Sequence, residues 1–221
     1  MPTKTQLADD LFRIGAIRFG EFKLKHHEKD PTAPLSPIFL NLRAEVAKNP
    51  GPINNDLLER LSRAMADVLV AHQATDFDLI AGVPHAGDPY AEWLATLFAR
   101  NGHPLGVLRL DKKESDAGRS VSGIREGAYG RGQRVLLVDD LITKADSKLE
   151  AIATLEAAGL VVKDVIVVVD RAQRGKEELE AHGCKLHCLF ELPYLLAVLH
   201  DQKHIDRNML SAVLNYIGWR P

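Results

Sequence analysis

The sequence predicts an α/β fold, in which a parallel β-sheet is flanked by helices on both faces and preceded by a small N-terminal hood. Two observations carry this. Apolar, β-branched runs recur at FDLIAGV (77–83), PLGVLRL (104–110), RVLLVDD (134–140), DVIVVVD (164–170) and KLHCLFE (185–191). Helical patterns at 89–100, 147–158 and 173–182 alternate with most of them. Val/Ile/Leu runs without polar alternation are strands buried on both faces, as a helix-covered parallel sheet requires.

The elements follow in order. Leu7, Leu11, Phe12 and Ile14 recur at helical spacing and predict a first amphipathic helix that ends near Gly15. Strand-like pieces at 17–24 and 37–42 flank the polar stretch HHEKDPTAPLS, which reads as an exposed loop. Residues 1–45 thus form the hood. A long helical pattern over 54–73, with Asn54 or Asn55 as N-cap, opens the α/β core of 54–221. The stretch 111–131 is charged, glycine-containing and without apolar period. It is too long for an ordinary connection, which makes it either functional or disordered. Helices near 193–200 and 207–217 close the chain. No repeat and no linker interrupts it, so residues 1–221 are expected to form a single domain.

Composition narrows the function classes. With 46% hydrophobic and 26% charged residues the chain matches soluble globular proteins, and no apolar run approaches the roughly 20 residues of a membrane span. MPTKTQLADD has no apolar signal core, and Cys184 and Cys188 give no disulfide framework. Both point to a reducing cytoplasm. A net charge of −2 argues against nucleic acid as the main partner, so an anionic ligand must be held by local basic groups.

The segment RVLLVDDLITKADSKLEAIATLEAAG (134–159) is the most informative. An apolar strand ends in Asp139 and Asp140, a short turn follows, and a helix starts near Ser147. In open parallel sheets ligands bind beyond the carboxyl ends of the strands. Paired carboxylates there can accept hydrogen bonds from sugar hydroxyls and stabilise positive charge on a ribose ring. Backbone N–H groups of the turn suit a phosphate monoester. Two solvated aspartates at a strand end remain the plain alternative. Neither a G-x-G-x-x-G fingerprint nor a Walker loop is present.

Hydrophobic run, Asp-Asp, two apolar residues, Thr, turn, helix: this segment resembles the PRPP-binding signature of type I phosphoribosyltransferases. FGEFKLK (19–25) with SPIFLNLR (36–43), FDLIAGVPHAGDPYA (77–91), SKLEAI (147–152) and VVVDRAQRGKEELEAHG (167–183) then resemble, in order, segments of the orotate phosphoribosyltransferases. That resemblance implies a parallel sheet with a hood, orotate and PRPP as substrates, magnesium, and a homodimer. It assigns Asp139 and Asp140 to the ribose and Lys112 or Lys113 to the departing pyrophosphate. His85 and Gly87 fall in the pyrophosphate segment. Lys25, Phe39, Thr143 and Arg171 match orotate-side positions. Thr143, Lys144, Ala145, Asp146 and Ser147 form the phosphate turn. The magnesium is expected through PRPP, with no direct protein ligand.

Four departures from the family pattern stand out. Ala145 replaces a turn glycine, which would be strained if that position needed φ > 0. Asp146 replaces a hydroxyl residue and puts a carboxylate toward the phosphate, unless it caps the following helix. In DKKESDAG (111–118) the later lysine of the family's loop is missing, and His85-Ala86-Gly87 lacks the lysine of many bacterial members. Weak PRPP affinity is the expectation. Other readings are a pyrimidine- or nucleotide-binding protein on the same scaffold without turnover, and a phosphoribosyltransferase for another base. Cys184, Cys188, His182 and His187 read as core rather than a metal site, and His200 and His204 as solvated surface.

Overall fold

The computed structural model describes residues 3–24, 30–115 and 118–220, with the backbone alone over 113–120. The hood consists of α1 (Lys4–Arg13), β1 (Ile17–Phe22) and β2 (Ser36–Leu40). Thr3 and Gln6 form a reciprocal capping box on α1. β1 and β2 pair antiparallel, Ile17 opposite Leu40 and Phe19 opposite Ile38.

The core runs α2 (Asn55–Ala71), β3 (Leu79–Gly82), α3 (Asp88–Arg100), β4 (Gly106–Ser115), β5 (Gly118–Glu126), β6 (Arg134–Ile142), α4 (Asp146–Ala157), β7 (Val161–Asp170), α5 (Gly175–Ala181), β8 (Lys185–Glu191), α6 (Leu192–Asp201) and α7 (Arg207–Tyr216). Asn54 caps α2, its side chain accepting from the Leu57 N–H at 2.9 Å. The strands form one six-stranded sheet in the order β5-β4-β3-β6-β7-β8. All neighbours are parallel except β4 and β5.

Alternate residues of the central strands feed two separate cores, as the pleat demands. Ile80, Leu136, Val138, Ile166 and Val168 join Leu61, Leu94 and Leu195 of α2, α3 and α6 on one face. Leu79, Leu137, Val165 and Val167 join Ala151, Leu155 and Leu179 of α4 and α5 on the other. No helix of the described residues is long and apolar enough to cross a membrane.

The stretch 111–131, expected to be either functional or disordered, has regular structure. Much of it is a β-hairpin, with β4 running on to Ser115 and β5 returning antiparallel from Gly118 to Glu126. Val121 and Ile124 pack against the second core while polar residues take the rest, too sparse an apolar signal to mark a strand. His204 is likewise not merely solvated: it bonds Asp9 at 2.6 Å and stacks on Phe12 at 4.4 Å between ring centroids.

Candidate active site

The strand order reverses direction between β3 and β6, since β3 leads outward to β4 while β6 leads to β7 and β8 on the other side. Ligands of open parallel sheets bind outside the carboxyl ends at such a switch. There β6 delivers Asp139 and Asp140 beside the end of β3. Asp139 is buried and forms an ion pair with Lys148, itself buried, whose Nζ also donates to the Leu141 carbonyl. The half-buried Asp140 donates its backbone N–H to Asp139 Oδ1 at 2.9 Å. Burial, and then the neighbouring Asp139, push the Asp140 carboxyl up to about 7.

The turn after them corrects two expectations. Ala145 has φ −85° and ψ 0°, so alanine there is unstrained, and its methyl is buried in the second core. Asp146 does not cap α4. Ala145 is the N-cap residue and Asp146 is the first helical residue, exposed and without a capping bond. The Ala145 N–H instead donates to Glu178 Oε2, reaching across from α5, at 2.7 Å. A protein carboxylate therefore takes one of the N–H groups that a phosphate on this turn would use. Lys144 is exposed, and Ser147 Oγ lies 3.5 Å from Lys148 Nζ.

Arg171 sits next to Thr143. Its backbone N–H donates to the Ile142 carbonyl at 2.9 Å, and the Thr143 carbonyl accepts from Gly175 at 3.1 Å. The Arg171 side chain is 6% exposed, and its Nε and Nη2 are buried with no hydrogen-bond partner among the described residues. Burial lowers its pKa. The segment that follows is held in an unusual conformation. Ala172 and Arg174 have φ of 55° and 75°, each costing about 1 kcal/mol or more for a residue with a Cβ. Asp170 Oδ1 accepts from the Ala172 N–H at 2.8 Å and so braces the bend.

On the other side of the aspartates lies a cavity of about 310 Å³ lined by Arg43, Lys48, Asn49, His85, Ala86 and Lys112. Lys112 Nζ donates to the Pro84 carbonyl at 2.9 Å. His85 Nδ1 lies 3.5 Å from Asp88 Oδ2. Burial lowers the His85 pKa, with Lys48 and Lys112 adding to it, and burial raises Asp88 to about 6. Gly87 has a packing role. A Cβ there would collide with the Val138 carbonyl, so glycine lets α3 start against β6.

Phe39 packs on the Phe22 ring at 5.6 Å and lies under the Arg18 guanidinium at 4.8 Å, in the hood. Lys113 lies on β4 opposite Ser120, its side chain beyond description. Lys25 lies outside the described residues. Among the described residues no three His, Cys, Asp or Glu side chains converge to hold a metal ion.

Sequence reasoning missed four features of this region. Arg43 carried a signal as the last residue of SPIFLNLR, but no pattern marked Lys48 or Asn49. Glu178 had none, because its partner is 33 positions away. Farther off, His187 bonds both Asp164, Nε2 to Oδ1 at 2.8 Å, and His72, Nδ1 to Nδ1 at 2.9 Å. It is buried, as the core reading expects, and only these bonds went unforeseen.

A family model for the phosphoribosyl transferase domain matches residues 54–186. The chain is 31% identical to orotate phosphoribosyltransferase of Pyrobaculum aerophilum, over 95% of its own length and 97% of that protein's. It is 29% identical to uridine 5′-monophosphate synthase of Bos taurus over 96% of its length, spanning 40% of that protein. The solved UMP synthase of Leishmania donovani matches with a TM-score of 0.75 at 28% identity, covering 98% of this chain and 42% of that one.

Proposed function

From the premise that this chain belongs to the orotate phosphoribosyltransferase family, we propose that it transfers the phosphoribosyl group of PRPP to orotate in pyrimidine nucleotide biosynthesis. A ring nitrogen of orotate bonds to the anomeric carbon as the bond to the diphosphate breaks. The electron pair leaves with pyrophosphate, which also takes up the proton given up by that ring nitrogen, and orotidine 5′-phosphate forms.

One observation carries the substrate class: Nε and Nη2 of Arg171, at the end of the neighbouring strand β7, are buried without a hydrogen-bond partner among the described residues. A buried cation without a partner is costly, and a planar fork is best satisfied by a carboxylate. That favours a base bearing a carboxylate, as orotate does, over one that lacks it. Thr143, next to Arg171, would help to orient it. Asp139 and Asp140 would hold the ribose hydroxyls and stabilise positive charge developing at the anomeric carbon. Lys148 pairs with Asp139, and the raised Asp140 carboxyl is about half ionised near pH 7. His85 and Lys112 would hold the diphosphate, joined by Lys113.

Magnesium fits this site as a passenger on PRPP. The cavity beside the aspartates is lined with cations, which suits an anionic metal–diphosphate complex rather than a bare divalent ion. Bound there, magnesium would neutralise diphosphate charge. We take the protein to act as a homodimer in the cytoplasm, as the family resemblance implies. Most of the work asked of these residues is positioning plus electrostatic stabilisation.

Glu178, reaching from α5 to the N-cap residue of α4, favours a second reading, a binding protein with little turnover. An assay with orotate, PRPP and magnesium, following orotidine 5′-phosphate and pyrophosphate together, separates the two. Equimolar formation of both supports the enzyme. Binding of orotate without either product supports the second reading.

A further inference from the structure

We propose that the hood contributes to diphosphate binding, through Arg43 and Lys48 on the loop that follows β2. This rests on the reading above, and it adds two binding residues from outside the matched family segment of 54–186. Both side chains line the cavity with His85 and Lys112, and among the described residues no carboxylate lines it. Among the described residues neither Arg43 nor Lys48 has an ion-pair partner. By contrast Arg13, Arg60, Arg63, Arg109 and Arg134 are each tied to an aspartate or glutamate. Lys48 acts electrostatically on His85 and Arg43 on Asp140, so this one loop acts on both the cavity and the aspartates.

The loop is fixed rather than incidental. Glu45 and Ile53 clasp it through Glu45 N–H to Ile53 carbonyl at 2.8 Å and Ile53 N–H to Arg43 carbonyl at 3.2 Å. Gly51 passes so close to Arg43 that a Cβ would strike the Arg43 carbonyl. The buried Tyr90 hydroxyl of α3 donates to the Leu42 carbonyl at 2.6 Å, directly before Arg43. Tyr90 is thus a positioning residue: it ties the loop to the helix whose N-terminus opens beside His85. Two cations without an ion-pair partner thus sit on a loop with a fixed backbone and line a cavity with no acid among the described residues. They form a receptor for a dense anion, and the aspartates beside it favour the diphosphate of PRPP there.

The test is calorimetric titration of magnesium pyrophosphate into the intact protein and its Lys48→Ala, Lys48→Arg and Arg43→Ala variants, with orotate titrated in parallel. Pyrophosphate affinity should fall at least tenfold in Lys48→Ala and Arg43→Ala, recover in Lys48→Arg, and leave orotate affinity unchanged. Lys48 is exposed, so its variants do not depend on core packing. Tyr90→Phe should weaken pyrophosphate in the same direction. Pyrophosphate affinity unaltered in both alanine variants, or no binding to the parent, overturns the proposal. Pyrophosphate binding lost in the variants of a parent that makes no orotidine 5′-phosphate upholds it and sinks the enzyme reading instead.

Discussion

The two ends of the candidate site are in opposite electrostatic states. At the end of β7, Arg171 is a buried cation whose Nε and Nη2 find no partner among the described residues. At the start of α4, the groups that could receive ligand are already engaged: Ala145 N–H by Glu178, and Asp139 by Lys148. The difference teaches that a site can keep one subsite poised while closing another with its own side chains. A ligand at Arg171 gains a charge-assisted bond with nothing to displace, whereas a phosphate at α4 must first compete with a carboxylate.

The largest effect is expected where the closed end is opened from within. Lys148→Met leaves Asp139 buried without its cation and should cost about 3–5 kcal/mol of stability, read by denaturant unfolding. A loss under about 1 kcal/mol would mean that Asp139 draws its support elsewhere. Next comes the poised end. Arg171→Ala should weaken orotate by about 1.5–3 kcal/mol while leaving the resting protein no less stable, because no described bond is lost. Unchanged orotate affinity would remove Arg171 from the site.

Smaller and more diagnostic is Glu178→Gln, which keeps an acceptor for Ala145 but removes the charge. PRPP should bind about tenfold tighter, roughly 1.4 kcal/mol, with orotate unaffected. Asp146→Thr should act in the same direction but more weakly, since Asp146 is exposed. Ala145→Gly should do little, because its φ of −85° is one that alanine adopts freely.

The smallest effect is a slope with pH. Asp140 titrates near 7 in the folded protein and at an ordinary carboxylate value when unfolded. The folded state therefore holds the proton more tightly. The stability this contributes is complete below about pH 4, lost progressively as pH rises to about 7, and constant above. Asp140→Asn removes that loss, so the variant's Tm should gain on the parent's between about pH 4 and 7. A Tm difference independent of pH would contradict the raised carboxyl.

The parts of the molecule that were legible in sequence share a physical cause. β6 and β7 are buried on both faces, so their unbroken Val/Ile/Leu runs announce them, and Asp139, Asp140 and Arg171 follow at their ends. The β4–β5 hairpin was not legible because the extension of β4 beyond Leu110 pairs only with β5, at the sheet edge, and needs little apolar surface. Glu178 and the loop of Arg43 and Lys48 were hidden for another reason. Their roles come from neighbours distant in sequence, and nothing in a local window shows where a surface carboxylate or cation will point. Ala145 and Asp146 were visible as departures, yet their backbone had to be seen before strain could be dismissed.

The contrast between the two ends is tested most directly by calorimetric titration of orotate, without PRPP, into the parent and Arg171→Ala proteins. Saturable binding to the parent, weakened at least tenfold in the variant, is the expected result. No binding to the parent until PRPP is added, or equal binding to both proteins, would contradict the poised guanidinium and with it the distinction between the two ends of the site.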